Sequence, residues 1–154
     1  QIASIITKSY SNNYVLAGVA TGAIAIGALV AERLEKPYIY VRPNPKGHGL
    51  KNQIEGSLQD GSDVVVIEDL VSTGMSSLNA VNAIKSANSN VKGMLCIFSY
   101  SFAFAIERFK SEKIDLISLA DYNILIEIAK EEKIITEDEV KKLERWRENP
   151  ENWM

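Results

Sequence analysis

Apolar residues along this chain fall into two kinds of run that alternate. Short, nearly continuous stretches, YVLAG (14–18), PYIYV (37–41), DVVVIE (63–68), GMLCIFSY (93–100) and IDLISL (114–119), are too brief for helices and predict strands. Between them the apolar positions recur at helical spacing. They predict helices over Gly22 to Leu34, Met75 to Ser86, Phe102 to Ser111 and Asp121 to Glu132, with an opening helix near Ile2 to Tyr10. The order is βαβ, repeated. Strands of continuous Val and Ile are covered on both faces, so the pattern predicts an α/β fold: a doubly wound, mostly parallel five-stranded sheet flanked by helices. Right-handed crossovers follow. The last segment, TEDEVKKLERWRENPENWM, opens on Thr136 with Glu139 three residues later, a capping box, and closes near Pro150. It predicts a helix over 136–149, packed back on the domain by Trp146 and Trp153.

Composition narrows this picture without changing it. A chain of 154 residues, 46% apolar and free of repeats, low-complexity tracts and linkers, suits a single domain over 1–154. Seventeen Lys and Arg against twenty Asp and Glu give a net charge of −3, and no basic block could track a nucleic-acid backbone. Residues 15–31 carry no charge over seventeen positions, but three glycines and a threonine interrupt them. They predict strand, tight turn and buried helix rather than a membrane span, and no signal-peptide pattern stands at the start. Cys96 is the only cysteine, so it forms no intramolecular disulfide. Its apolar surroundings suit a buried, inert thiol and a reducing cytoplasm.

The chemistry gathers at VVVIEDLVSTGMSS (64–77). In a parallel sheet, ligands bind beyond the carboxyl ends of the strands. Here a Val run ends in Glu68 and Asp69, and the loop Ser72-Thr73-Gly74-Met75-Ser76 enters a helix, offering backbone N–H groups and three hydroxyls where an anion is stabilised. This is a monophosphate cradle. No GKS or GKT and no G-x-G-x-x-G after a strand supports a nucleoside triphosphate or dinucleotide site. Two acids beside the cradle can accept hydrogen bonds from ribose hydroxyls and anchor a hydrated Mg²⁺. An isolated acidic pair more often caps the next turn; a Ser/Thr/Gly loop after a Val run weighs against that here.

A second cluster is cationic. Arg42, Lys46 and His48 lie among Pro43, Pro45, Gly47 and Gly49, which suit neither helix nor central strand. The stretch predicts a mobile cationic lid, although any one of these charges alone would be ordinary for a surface turn.

VVVIEDLVSTGMSS resembles the phosphoribosyl pyrophosphate (PRPP) motif of the type I phosphoribosyltransferases, and YVRPNPKGHGLKNQIEG (40–56) resembles the mobile catalytic loop of the orotate phosphoribosyltransferases among them. The similarity extends through GVATGAIAIG and WRENPENW. It implies a type I phosphoribosyltransferase fold and transfer of the 5-phosphoribosyl group from PRPP to orotate, giving orotidine 5′-monophosphate and diphosphate in pyrimidine (UMP) biosynthesis. It implies Mg²⁺, carried with PRPP near Glu68 and Asp69. By the same resemblance Glu68, Asp69, Leu70, Val71, Ser72, Thr73, Gly74, Met75 and Ser76 surround the ribose 5-phosphate, with Ser72 also near orotate. Arg42, Lys46 and His48 would reach the diphosphate from the neighbouring subunit of a homodimer with shared sites. Ala20, Thr21 and Gly22 would hold diphosphate through their backbone. Pro43 stands where the family commonly has a second basic residue. Purine-transferring members usually place an aspartate where this chain has Ser72, which argues against a purine acceptor. A PRPP-sensing regulator or an enzyme for another base are the rival readings; a lid for a leaving group disfavours the first. The resemblance also implies an N-terminal segment that closes over the base. A chain opening at Gln1 inside a helix is expected to be a fragment that binds PRPP or ribose 5-phosphate but turns over orotate poorly.

Overall fold

The computed structural model describes residues 1–44, 53–148 and 150. Its elements follow the alternation of the apolar runs: α1 (Ile2–Ser9), β1 (Val15–Val19), α2 (Ala23–Leu34), β2 (Tyr38–Val41), β3 (Ile54–Glu55), β4 (Asp63–Val71), α3 (Met75–Ser86), β5 (Asn90–Ser99), α4 (Ala103–Ser111), β6 (Leu116–Asp121), α5 (Tyr122–Glu131) and α6 (Glu137–Glu148). The strands form one sheet in the order β3-β2-β1-β4-β5-β6. Every adjacent pair is parallel except β2 with β3.

Two differences from expectation matter for the site. The sheet has six strands rather than five, because the two-residue β3 adds antiparallel to β2, pairing Tyr40 with Glu55 and Val41 with Ile54. Two residues are too few to carry a periodic signal. Strand β4 also runs on past the acidic pair to Val71, since β5 is long enough to pair Glu68 with Cys96, Leu70 with Phe98 and Val71 with Ser99. The ladder to a long neighbour overrides the low strand preference of the acids.

Alternation along β4 builds the core on both faces. Val64 and Val66 join Val81 and Ile84 of α3 and Phe109 of α4 on one side. Val65 and Ile67 join Ile2 and Ile6 of α1 and Val30 and Ala31 of α2 on the other. Residues 15–31 resolve into β1, a turn and α2. No helix among the described residues is long and apolar enough to cross a membrane. At α6 the Thr136 N–H donates to Glu139 Oε2 (2.8 Å) and the Glu139 N–H to Thr136 Oγ1 (3.3 Å), the reciprocal capping box. Trp146 packs on Tyr100, Phe102 and Tyr122, and Arg147 Nη2 donates to Ser101 O at 2.7 Å, which seats α6 against the ends of β5 and β6. Trp153 lies outside the described residues.

Candidate active site

From β1 the chain moves outward to β2, then returns to place β4 on β1's other side. This reversal makes the carboxyl ends of β1 and β4 a topological switch point, where the loops diverge and leave a crevice. With Gly18 paired to Ile67, the turn Ala20-Thr21-Gly22 lies beside the end of β4. Ala20 N–H donates to Val41 O (2.8 Å), and the Ala20–Thr21 peptide is cis. A Cβ built on Gly22 would collide with the Asp69 carboxylate. Since φ of Gly22 is an ordinary −62°, it is the close approach of the Asp69 side chain, not backbone conformation, that favours glycine there. The half-buried Asp69 accepts the Leu70 N–H at Oδ1 (2.8 Å), and its Oδ2 is the atom nearest to that would-be Cβ.

The 72–76 loop turns into α3 through Gly74, whose φ of +76° favours glycine and where an added Cβ would meet the Phe109 ring. The first helical hydrogen bond runs from Leu78 N–H to Gly74 O (2.9 Å), and Met75 N–H reaches Thr73 Oγ1 at 3.4 Å. Gly74 has no side chain to cap the helix, and among the described residues no other oxygen takes the Ser76 and Ser77 N–H groups. The start of α3 therefore presents backbone donors together with the positive end of its dipole.

The two carboxylates do not share one role. Glu68 is 3% exposed. Its Oε2 accepts from Ser77 Oγ (2.9 Å) and its Oε1 from the Asp69 N–H (3.1 Å). Burial, reinforced by the neighbouring Asp69 carboxyl, pushes its pKa up to about 8. Asp69 faces the crevice while Glu68 faces the interior, because successive strand residues point to opposite faces. Cys96, paired to Glu68, has its thiol pushed up to about 12 by burial and fits the inert reading.

Arg42, the residue after β2, is ion-paired to Glu55 of β3 (3.5 Å). Gln53 Nε2 donates to the carbonyls of Arg42 and Pro43 (3.2 Å each). Lys46 and His48 lie outside the described residues. Leu70 is an exposed apolar residue at the end of β4, Val71 is buried, Ser72 and Thr73 are half-buried, and Met75 and Ser76 are exposed.

Sequence reasoning missed three residues that shape this loop. Ser77 stands one position past the loop residues singled out, and Phe109 under Gly74 reads only as core. Arg108, whose Nη1 donates to Thr73 O at 2.9 Å, is 35 positions from its partner and leaves no local signal.

Residues 1–129 match the phosphoribosyl transferase domain family. The chain is 48% identical over 153 residues to an orotate phosphoribosyltransferase of Phocaeicola vulgatus, covering 99% of this chain and 72% of that protein. It is 44% identical to one of Porphyromonas gingivalis, covering 99% and 73%. Among solved structures, orotate phosphoribosyltransferase of Aeropyrum pernix superposes with a TM-score of 0.67 at 34% identity, over 75% of this chain and 64% of that one. UMP synthase of Leishmania donovani does so with a TM-score of 0.76 at 22% identity, over 94% and 31%, a likeness of fold.

Proposed function

The chain belongs to the phosphoribosyl transferase domain family, among the orotate phosphoribosyltransferases, and on that premise we propose that it transfers the 5-phosphoribosyl group from PRPP to orotate, releasing diphosphate and forming orotidine 5′-monophosphate. The observation that carries the reading is the meeting of Asp69, the Gly22 turn and the uncapped start of α3 at one switch point. A hydroxyl-bearing sugar between two phosphate groups matches that order of acceptor and donors.

In this reading the N–H groups of Ser76 and Ser77, with the hydroxyls of Ser72, Thr73 and Ser76, hold the 5-phosphate. Asp69 accepts from the ribose hydroxyls. The turn Ala20-Thr21-Gly22 receives the diphosphate on its backbone, and Ser72 lies near the base. As the bond to diphosphate breaks, positive charge grows on the ribose and negative charge on the leaving group. Arg42, Lys46 and His48 neutralise the latter while water is excluded. No residue of the chain is needed as a covalent nucleophile.

Among the described residues no three His, Cys, Asp or Glu side chains converge as a metal cage. One open carboxylate still fits Mg²⁺, which commonly takes one or two carboxylates and completes its shell with substrate phosphates and water. Asp69 would hold it together with PRPP, and the ion would supply charge neutralisation at the diphosphate. A cytoplasmic homodimer in which Arg42, Lys46 and His48 reach the neighbouring subunit's site completes the proposal.

The test is diphosphate release from PRPP and Mg²⁺ with orotate, uracil or hypoxanthine as acceptor. Release that depends on orotate alone is expected. Release with another base and none with orotate would overturn the assignment.

A further inference from the structure

Arg108 sits in the last turn of α4, and its exposed guanidinium reaches both the phosphate loop and Phe104 one turn back on the same helix. Nη1 donates to the Thr73 carbonyl at 2.9 Å, and Cζ lies 5.4 Å from the centroid of the Phe104 ring. Both contacts are with uncharged groups, and among the described residues no carboxylate is ion-paired with Arg108. The next residue, Phe109, fills the space under Gly74, so α4 fixes the loop at two successive positions.

Building on the proposed PRPP site, we propose that Arg108 is a further residue for binding the 5-phosphate: it braces Thr73 so that the loop's donors converge, and it adds a positive charge to the cradle. A guanidinium held by a carbonyl and an aromatic face keeps its charge, and because Arg108 is exposed its field on the loop is screened by solvent and salt. A phosphate seated at the start of α3 then meets the helix dipole and this cation from adjoining elements. The role is one of position and field. Arg108 transfers no proton.

The experiment is titration of ribose 5-phosphate into the wild type, Arg108→Ala and Arg108→Lys, with melting temperatures measured alongside. In low salt Arg108→Ala should weaken binding about tenfold, the size of one charge-assisted contact, and Arg108→Lys should recover part of the loss. The difference should shrink between about 0.01 M and about 1 M salt, as the screening length falls from roughly 30 to roughly 3 Å. With PRPP as substrate, KM should rise by more than kcat falls. Wild-type affinity in Arg108→Ala would overturn the inference, and so would a loss equally large at both salt concentrations and unrelieved by lysine, which marks a purely structural brace. Failure of the wild type itself to bind ribose 5-phosphate would remove the proposed site and this inference with it.

Discussion

Ser77 Oγ donates to Glu68 Oε2 at 2.9 Å, tying the first turn of α3 to β4 beneath the loop that the two elements bracket. With the Asp69 N–H on its other oxygen, Glu68 is enclosed by protein donors and serves as a strut of the cradle. Its protonated form is favoured on folding, since about 8 in the native chain replaces an ordinary 4.5.

That shift sets a pH dependence of stability. The native state binds a proton more readily than the unfolded state, so the contribution of Glu68 is complete below about pH 4.5 and is lost as pH rises through about 8. Melting temperatures compared at the two ends of this window should fall for the wild type. Glu68→Gln, which is neutral throughout and keeps one acceptor and one donor, should show a smaller fall. Identical slopes for the two proteins would mean that Glu68 is ionised in the native state.

Asp69 should behave in the opposite way. Asp69→Asn should leave the melting temperature nearly unchanged while PRPP binding in Mg²⁺ weakens by about tenfold or more, as expected for hydrogen bonds to a charged group. Calorimetry on the two proteins decides it, and unaltered PRPP affinity would displace the ribose from this strand end.

Gly22→Ala should drive a methyl group into the Asp69 carboxylate. The variant should lose PRPP affinity and about 1–3 kcal/mol of stability, the usual cost of overpacking. In an Asp69→Ala background the same change should cost clearly less stability, because the clashing carboxylate is gone. A double-mutant cycle in denaturant measures the coupling, and strict additivity would show that the two residues do not meet.

Replacing Lys46 by alanine should lower turnover by about 10²–10³, the range for losing one electrostatic stabiliser of a transition state, with a smaller change in PRPP affinity. A rise in KM with kcat unchanged would indicate ground-state binding instead. Hybrid dimers that combine Lys46→Ala chains with Asp69→Asn chains should regain activity, since one of their two sites draws intact residues from each partner. Hybrids as inactive as both parents would rule out a site shared across subunits.

The alternation of strands and helices was legible because the period of apolar positions is a local property: each segment must bury one face or two wherever it packs. The proposed phosphate loop stands out in the sequence for a related reason. Its hydroxyls, Gly74 and the start of α3 are contiguous, so the chemistry of an anion cradle is written in consecutive residues. Sequence also placed an acidic pair at the loop's edge, but it could not divide the labour between the two acids. Glu68 and Asp69 are neighbours in the chain and face opposite sides of β4; which of them becomes enclosed depends on Ser77 arriving from α3 and Gly22 from the turn after β1. The two-residue β3, the extension of β4 along β5 and the reach of Arg108 to Thr73 were likewise settled by tertiary structure. Each rests on pairing or burial between segments distant in sequence, and burial is decided by what packs against a residue, which no local pattern contains.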